Sequence, residues 1–194
     1  MIYLLRHGQT EFNVAGRYQG QMDSPLTVKG ERQAARMGER LAGLVGDGAG
    51  WRLVSSPLGR AVRTAEIVHR HLPGAPAPEP DPRLSEVGMG AWDGLTFAQL
   101  DSRRPAAIDH VERYFHGPGG ETYDGFAGRI QAWLDTVGPD DNVIAISHGV
   151  TTRVLRGLYA GLPRARMLRL DVPQDALYRL DAGRIERLAC EPVG

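Results

Sequence analysis

Ile2-Tyr3-Leu4-Leu5-Arg6-His7-Gly8 and Asn142-Val143-Ile144-Ala145-Ile146-Ser147-His148-Gly149 share one design. Each is a short continuous apolar run, then a polar residue, a histidine and a glycine. A run without polar alternation suits a strand buried on both faces, as in parallel sheets. In an open α/β sheet the loops leaving the carboxyl ends of such strands form the ligand crevice, so two strands ending in His-Gly would bring both imidazoles to it. Trp51-Arg52-Leu53-Val54-Ser55-Ser56 is a third strand candidate and leads through Pro57 into a helix.

Helical patterns fill the intervals. Thr27 can cap a helix running to about Val45, with Ala34, Met37, Leu41 and Leu44 at helical spacing. Leu58, Ala61, Val62, Ala65, Val68 and Leu72 form a second stripe, and further helices are predicted from about Tyr123 to Val137 and from Val150 to Ala160. Strands followed by helices predict an α/β fold, a three-layer sandwich whose mainly parallel central sheet is flanked by helices. Met167 to Val172, Ala176 to Leu180 and Arg184 to Ala189 read as strands, the last two a hairpin joined at Asp181-Ala182-Gly183, giving the sheet one antiparallel edge. The proline-rich stretch from Pro73 to Arg83 reads as a rigid surface connection, since neither side of it holds both strand-His-Gly motifs. Residues 1–194 are thus expected to form a single domain. Within it, residues 94–123 look helical but poorly patterned, with Arg103, Arg104, His110 and His116, and are expected to form a small helical cover inserted over the site.

Composition bounds the function. The 194 residues carry 23 basic and 23 acidic side chains, so no bulk charge draws the chain to nucleic acid or to an anionic membrane. The apolar run that opens the chain stops at Arg6, too early for a signal peptide or a membrane span, and a cytoplasmic protein is expected. Cys190 is the only cysteine, which agrees with a reducing compartment. Lys29 is the sole lysine among the basic residues. Most of the arginine excess reads as compositional, but a few arginines could sit where a planar, permanently charged fork is needed, as for phosphate.

Three positions carry chemistry without reference to any family. A lone histidine after a strand is usually structural, yet His7 stands between Gly8, which permits close backbone approach, and Arg6, a cation leaving a buried strand. Burying that charge unpaired is costly, and an anionic ligand removes the difficulty. Arg60 falls in the first turn of its helix, where the exposed amides disfavour a cation by about 0.3–1 kcal/mol. A solvated surface arginine is the alternative, but Ser55-Ser56-Pro57 puts Arg60 just past a strand end, where amides and guanidinium can act together on one phosphate. Glu86, among the apolar and glycine residues of Leu84 to Gly94, is either an exposed loop carboxylate or a partly desolvated carboxyl suited to proton transfer.

Leu5-Arg6-His7-Gly8-Gln9-Thr10-Glu11-Phe12-Asn13 resembles the signature of the histidine phosphatase superfamily, in its phosphoglycerate mutase-like branch. The resemblance continues, in the family's order, through Gln19-Gly20-Gln21-Met22-Asp23-Ser24-Pro25-Leu26-Thr27, Ser55 to Ala65, Leu84 to Gly94, Gly119-Gly120-Glu121-Thr122 and Ser147-His148-Gly149. It implies that His7 is a nucleophile forming a phosphohistidine, that Arg6, Arg60 and His148 hold the non-bridging oxygens, and that Glu86 is the general acid and base. It also implies substrate contacts from Gly8, Asn13, Gln19, Gly20 and Gly149, with no metal and no cofactor. His7 would have to be neutral and His148 a donor, so similar rings would need different environments. Asp93 and Thr122 stand where the family commonly has glutamate and serine, swaps that preserve polarity. The segment between Glu86 and His148 has no room for the long insertion typical of bisphosphate-primed mutases, which favours hydrolysis.

The expected activity is therefore metal-independent hydrolysis of a small phosphorylated metabolite, without nucleic-acid or membrane partners and with a homodimer left open. A bisphosphoglycerate-dependent phosphoglycerate mutase and a phospho-ligand binding module without turnover are the competing readings. A hydrolytic metal site is a weaker rival: His69 and His71 do not share a helix face, and His110 and His116 have no ligand spacing. All four are expected at the surface, His116 being the one placed to reach the site from the cover.

Overall fold

The computed structural model describes residues 1–103, 105 and 107–193; Arg104, noted above in the cover, lies outside the described residues. The elements run β1 (Ile2–Arg6), α1 (Glu11–Val14), α2 (Val28–Val45), β2 (Arg52–Ser55), α3 (Gly59–His69), β3 (Glu79–Pro80), α4 (Phe97–Arg103), α5 (Tyr123–Leu134), β4 (Val143–Ser147), α6 (Gly149–Tyr159), α7 (Arg164–Met167), β5 (Ala176–Asp181) and β6 (Arg184–Ala189). Thr27 caps α2 as expected, its side chain accepting from the Gly30 amide.

The six strands form one sheet in the order β3-β2-β4-β1-β5-β6. β1, β2, β3 and β4 are mutually parallel, while β5 and β6 run antiparallel to their neighbours. Strand periodicity divides the core. Tyr3 and Leu5 of β1 pack with Met37, Leu41, Ala65 and Val68 from α2 and α3, whereas Ile2 and Leu4 pack on the other face with Phe126, Ile130, Trp133, Val154 and Leu155 from α5 and α6. The predicted three-layer α/β architecture is the observed one.

β1 and β4 lie side by side at the centre, in register from Ile2↔Val143 to Arg6↔Ser147. The chain leaves β1 toward β2 and leaves β4 toward β5, in opposite directions from adjacent strands. This is a topological switch point, and the crevice beyond it is where such sheets bind ligands.

Two expectations change. Met167 to Val172 is not a strand: Pro163 starts α7, and the amides of Leu168, Arg169 and Leu170 bond back to Arg164, Arg166 and Met167, which takes them from any ladder. The connection from Pro73 to Arg83 does contribute a strand, but only β3, whose Pro80 has no N–H to donate and which lies at the sheet edge. The segment expected to form the cover is less helical than its composition suggested. Among its described residues it holds α4 and one 3₁₀ turn at Arg113–Phe115.

Candidate active site

The register of β1 and β4 fixes the centre of the site. The residue after each strand is a histidine, and the His7 amide donates to the Ser147 carbonyl at 2.9 Å, so the two imidazoles sit 5.2 Å apart between ring centroids. Both are buried. His7 Nδ1 lies 2.7 Å from the Gly8 carbonyl oxygen; since that oxygen can only accept, Nδ1 carries the proton and Nε2 keeps its lone pair. On His148 the pattern is reversed. Its Nδ1 accepts from Arg60 Nε at 3.2 Å, so Nε2 bears the hydrogen, buried and without a partner. Burial, with the Arg6 and Arg60 charges beside it, holds His7 well below the usual imidazole range; burial, then Arg60, His7 and Arg6, do the same to His148. The two rings therefore differ in tautomer, one an acceptor and the other a donor, and both are neutral.

Arg60 is 1% exposed, which removes the alternative of a solvated surface arginine. Its position at the N-terminus of α3 is made tolerable by Asp23, whose Oδ1 accepts from the Arg60 amide at 3.2 Å and approaches Nη1 at 3.4 Å. Nη1 and Nη2 also donate to the carbonyls of Met22 and Gly20. Gly20 has φ +50, and a Cβ there would meet Asp93 Oδ1 at 1.6 Å, so glycine is required for this loop to pass under the arginine. Arg6 donates through Nη1 to the Val172 carbonyl at 2.7 Å, while its Nε is buried without a partner. Burial pushes its guanidinium down to about 10 although Glu86 pulls the other way, so it stays charged at neutral pH.

Glu86 is half-buried and serves the start of α6. Its carboxylate accepts from the amides of Val150 at 3.0 Å and Thr151 at 3.1 Å, from Thr151 Oγ1 at 3.0 Å and from its own neighbour Val87. Because His148 offers no side-chain cap, the carboxylate satisfies amides that the first turn leaves open. The loop bearing Glu86 is bolted from behind: Arg129 donates to the carbonyls of Arg83, Ser85 and Glu86 and pairs with Glu121, which accepts from the Gly88 amide. This is the structural work of the Gly119-Gly120-Glu121-Thr122 block.

Arg6, His7, Asn13, Gln19, Gly20, Arg60, Glu86 and Gly149 all line one cavity of about 440 Å³. His148 stands behind His7. Asn13 Oδ1 already accepts from Thr10 and Gln174, which leaves its amide nitrogen for a ligand; Gln19 is buried with Oε1 unpartnered. Gly8 does not line the cavity. Its missing Cβ serves packing instead, because a Cβ would stand 2.2 Å from the Gly30 carbonyl oxygen of α2. His116 is exposed, since the turn at Arg113–Phe115 sends Arg113 and Tyr114 inward and leaves His116 outside at its end; His110 is the cover histidine that lines the cavity. His71 packs near Gly38, and no group of three metal-binding side chains occurs among the described residues.

The sequence reading missed several contributors. Arg113, Arg153, Tyr18 and Tyr114 line the cavity. The segment from Leu170 to Gln174, expected to be strand only as far as Val172, is an irregular strap over the site: three successive carbonyls, of Leu170, Asp171 and Val172, accept from Arg153, Arg156 and Arg6. Gln174 then donates to the His7 carbonyl and to Asn13. Only Arg153 left a trace in the sequence, lying five residues after His148 on the helix that follows it.

A neutral imidazole with a free nitrogen, flanked by one buried and one half-buried guanidinium, a donor imidazole and a carboxylate, can accept an electrophilic phosphorus, neutralise its oxygens and move a proton. Comparison with known proteins agrees. The family model described as histidine phosphatase superfamily (branch 1) matches residues 2–187. A protein of Proteus mirabilis (strain HI4320) named "Probable phosphoglycerate mutase GpmB" is 35% identical over 189 residues, covering 93% of this chain and 84% of the relative. Among solved structures, mycobacterial glucosyl-3-phosphoglycerate phosphatase Rv2419c in complex with VO3 aligns with a TM-score of 0.76 at 29% identity, over 97% of this chain and 96% of that one. Bacillus stearothermophilus YhfR aligns with a TM-score of 0.78, also at 29% identity, over 97% and 95%. Among the described residues no helix is long and apolar enough to cross a membrane.

Proposed function

Because the chain belongs to the histidine phosphatase superfamily, branch 1, we propose that it is a metal-independent phosphomonoesterase that hydrolyses a small phosphorylated metabolite through a phosphohistidine on His7. The observation that carries this reading is the His7 tautomer, locked by the Gly8 carbonyl so that Nε2 is an unprotonated nucleophile in an arginine-rich cavity.

In the first step the Nε2 lone pair attacks phosphorus and the bond from phosphorus to the ester oxygen breaks. Arg6, Arg60 and the Nε2–H of His148 bind the non-bridging oxygens, and Asn13, Gln19, Gly20 and Gly149 border the rest of the substrate. Glu86 gives its proton to the departing oxygen. In the second step Glu86 takes a proton from water, the water oxygen attacks phosphorus, the P–N bond breaks and orthophosphate leaves. Positioning and charge stabilisation supply most of the catalysis in such transfers.

A rapid quench in alkaline detergent during turnover should trap an acid-labile, base-stable phosphoprotein, enriched in Glu86→Gln and absent from His7→Ala. A Glu86→Gln enzyme that turns over slowly yet never carries phosphate would remove the covalent step. The name borne by the curated relatives favours a second reading, phosphoglycerate mutase. Bisphosphoglycerate-dependent interconversion of phosphoglycerates with little release of orthophosphate would decide for it.

A further inference from the structure

The tautomer of His7 is set by one backbone carbonyl, and the peptide that bears this carbonyl is itself held from behind. The Gly8 oxygen bonded to His7 Nδ1 shares its peptide plane with the Gln9 N–H, which donates to Gln33 Oε1 of α2 at 2.8 Å. Because the peptide is planar and trans, the two groups point in opposite directions, and holding one aims the other. The preceding peptide is pinned in the same way: the Gly8 N–H donates to Thr64 Oγ1 of α3 at 3.2 Å, and the His7 carbonyl accepts from Gln174. Thr64 in turn donates to the Arg60 carbonyl at 2.8 Å, so its hydroxyl proton is engaged and a lone pair faces Gly8. Gln33 and Thr64 are both buried, on helices whose other buried residues are mostly apolar. Gly30 lets α2 come this close, since a Cβ there would stand 2.0 Å from the Gln9 carbonyl oxygen.

A polar side chain in such a layer ordinarily serves to satisfy a backbone group, and each of these two does so. What sets them apart is where the satisfied peptides lead. A neutral hydrogen bond of ordinary strength biases an equilibrium by only about 10-fold. A Gly8 carbonyl turned off line would therefore leave a sizeable share of His7 with its proton on Nε2, where it blocks attack. An acceptor on the peptide N–H also polarises the carbonyl at the other end of the plane, which strengthens the bond to Nδ1. We propose that Gln33 and Thr64 are positioning residues for the nucleophile: by clamping the two peptides that flank Gly8, they keep its carbonyl on Nδ1 and leave Nε2 free. The consequence for catalysis rests on the phosphatase reading above, whereas the clamp is a property of the resting protein.

Nitrogen NMR of the whole protein with isotope-labelled histidine reads the tautomer without any substrate, and the His7 signals are assigned by their absence from His7→Ala. The unsubstituted protein should show His7 protonated at Nδ1. Gln33→Met and Thr64→Val keep the size of the side chain and lose the acceptor. Each should raise the share of His7 protonated at Nε2 to about a tenth or more, and each should slow single-turnover phosphorylation of His7 about threefold or more. Thr64→Ser, which keeps the hydroxyl, should behave as the unsubstituted protein does. Val68→Ala, which loosens the same layer of the core without removing an acceptor, should move neither readout. A His7 protonated at Nε2 in the unsubstituted protein overturns the clamp. So does a tautomer that stays unmoved in both Gln33→Met and Thr64→Val, or one that Val68→Ala moves as far as they do. A shift in only one of the two variants overturns the role of the other residue. If the tautomer follows the expected pattern but His7 never takes up phosphate, the phosphatase reading falls and the clamp stands.

Discussion

At the scale of single residues, the two histidines show how one side-chain type is divided between two tasks by its hydrogen bonds. A carbonyl acceptor at Nδ1 of His7 and a guanidinium donor at Nδ1 of His148 fix opposite tautomers on rings that are otherwise alike. Both are held neutral by burial among cations, and this has a sign in stability. The unfolded chain protonates these rings as pH falls below the ordinary value of about 6.5, while the folded chain does not, so the stability they allow is full above that pH and declines beneath it. Each ring contributes a slope of at most about 1.4 kcal/mol per pH unit. Urea unfolding between pH 7 and pH 5 should show the decline, and His148→Asn should flatten it; an unchanged slope in the variant would mean that the ring is protonated in the folded state. The sequence reading expected the contrast between the rings but located it in their surroundings at large, because tautomers depend on partners far away in the chain, Arg60 for His148 among them.

Among the elements, the strap from Leu170 to Gln174 does what no regular structure could. A strand would spend alternate carbonyls on its ladder, whereas this irregular segment turns three in a row toward three arginines and follows them with a glutamine that reaches His7 and Asn13. Gln174→Ala should therefore reduce kcat/KM about 10-fold while costing about 1 kcal/mol or less in urea unfolding, since the lost bonds are two neutral ones. If kcat/KM stays at its original level, the strap supports the chain and not the chemistry. The apolar run from Met167 to Leu170 looked like a strand because a short run with few polar residues fits a strand and a helical turn equally well. The strand-His-Gly pairs were legible for the opposite reason. Their apolar runs are bounded by residues with one plausible purpose, and parallel pairing of β1 with β4 converts two distant tripeptides into neighbours.

For the molecule as a whole, the balance of 23 basic and 23 acidic residues conceals a division of charge. The cavity gathers Arg6, Arg17, Arg60, Arg113 and Arg153, while carboxylates pair with other arginines over the exterior, as Glu31 does with Arg63 and Glu39 with Arg36. A concave site in which five arginines face Glu86 and Asp101 keeps an excess of positive charge and concentrates anionic ligands at low ionic strength. For a doubly charged ester kcat/KM should fall several-fold as salt rises from low to high, with kcat changing less; a flat profile would show that the exterior cancels the field of the cavity. The layers and the residues that meet in the cavity were readable because each follows from local pattern or motif. The segment over the cavity was not, because its aromatic and arginine contacts have no period and acquire meaning only when Tyr18, Tyr114 and Arg153 arrive from separate parts of the chain. The two ends of the sheet carry a last consequence. On one side β3 is only Glu79–Pro80, and on the other β6 exposes Arg184, Glu186 and Arg187. A brief proline-bearing margin and a charged one both resist the addition of another strand. Neither border invites the edge-to-edge pairing of sheets that builds fibres.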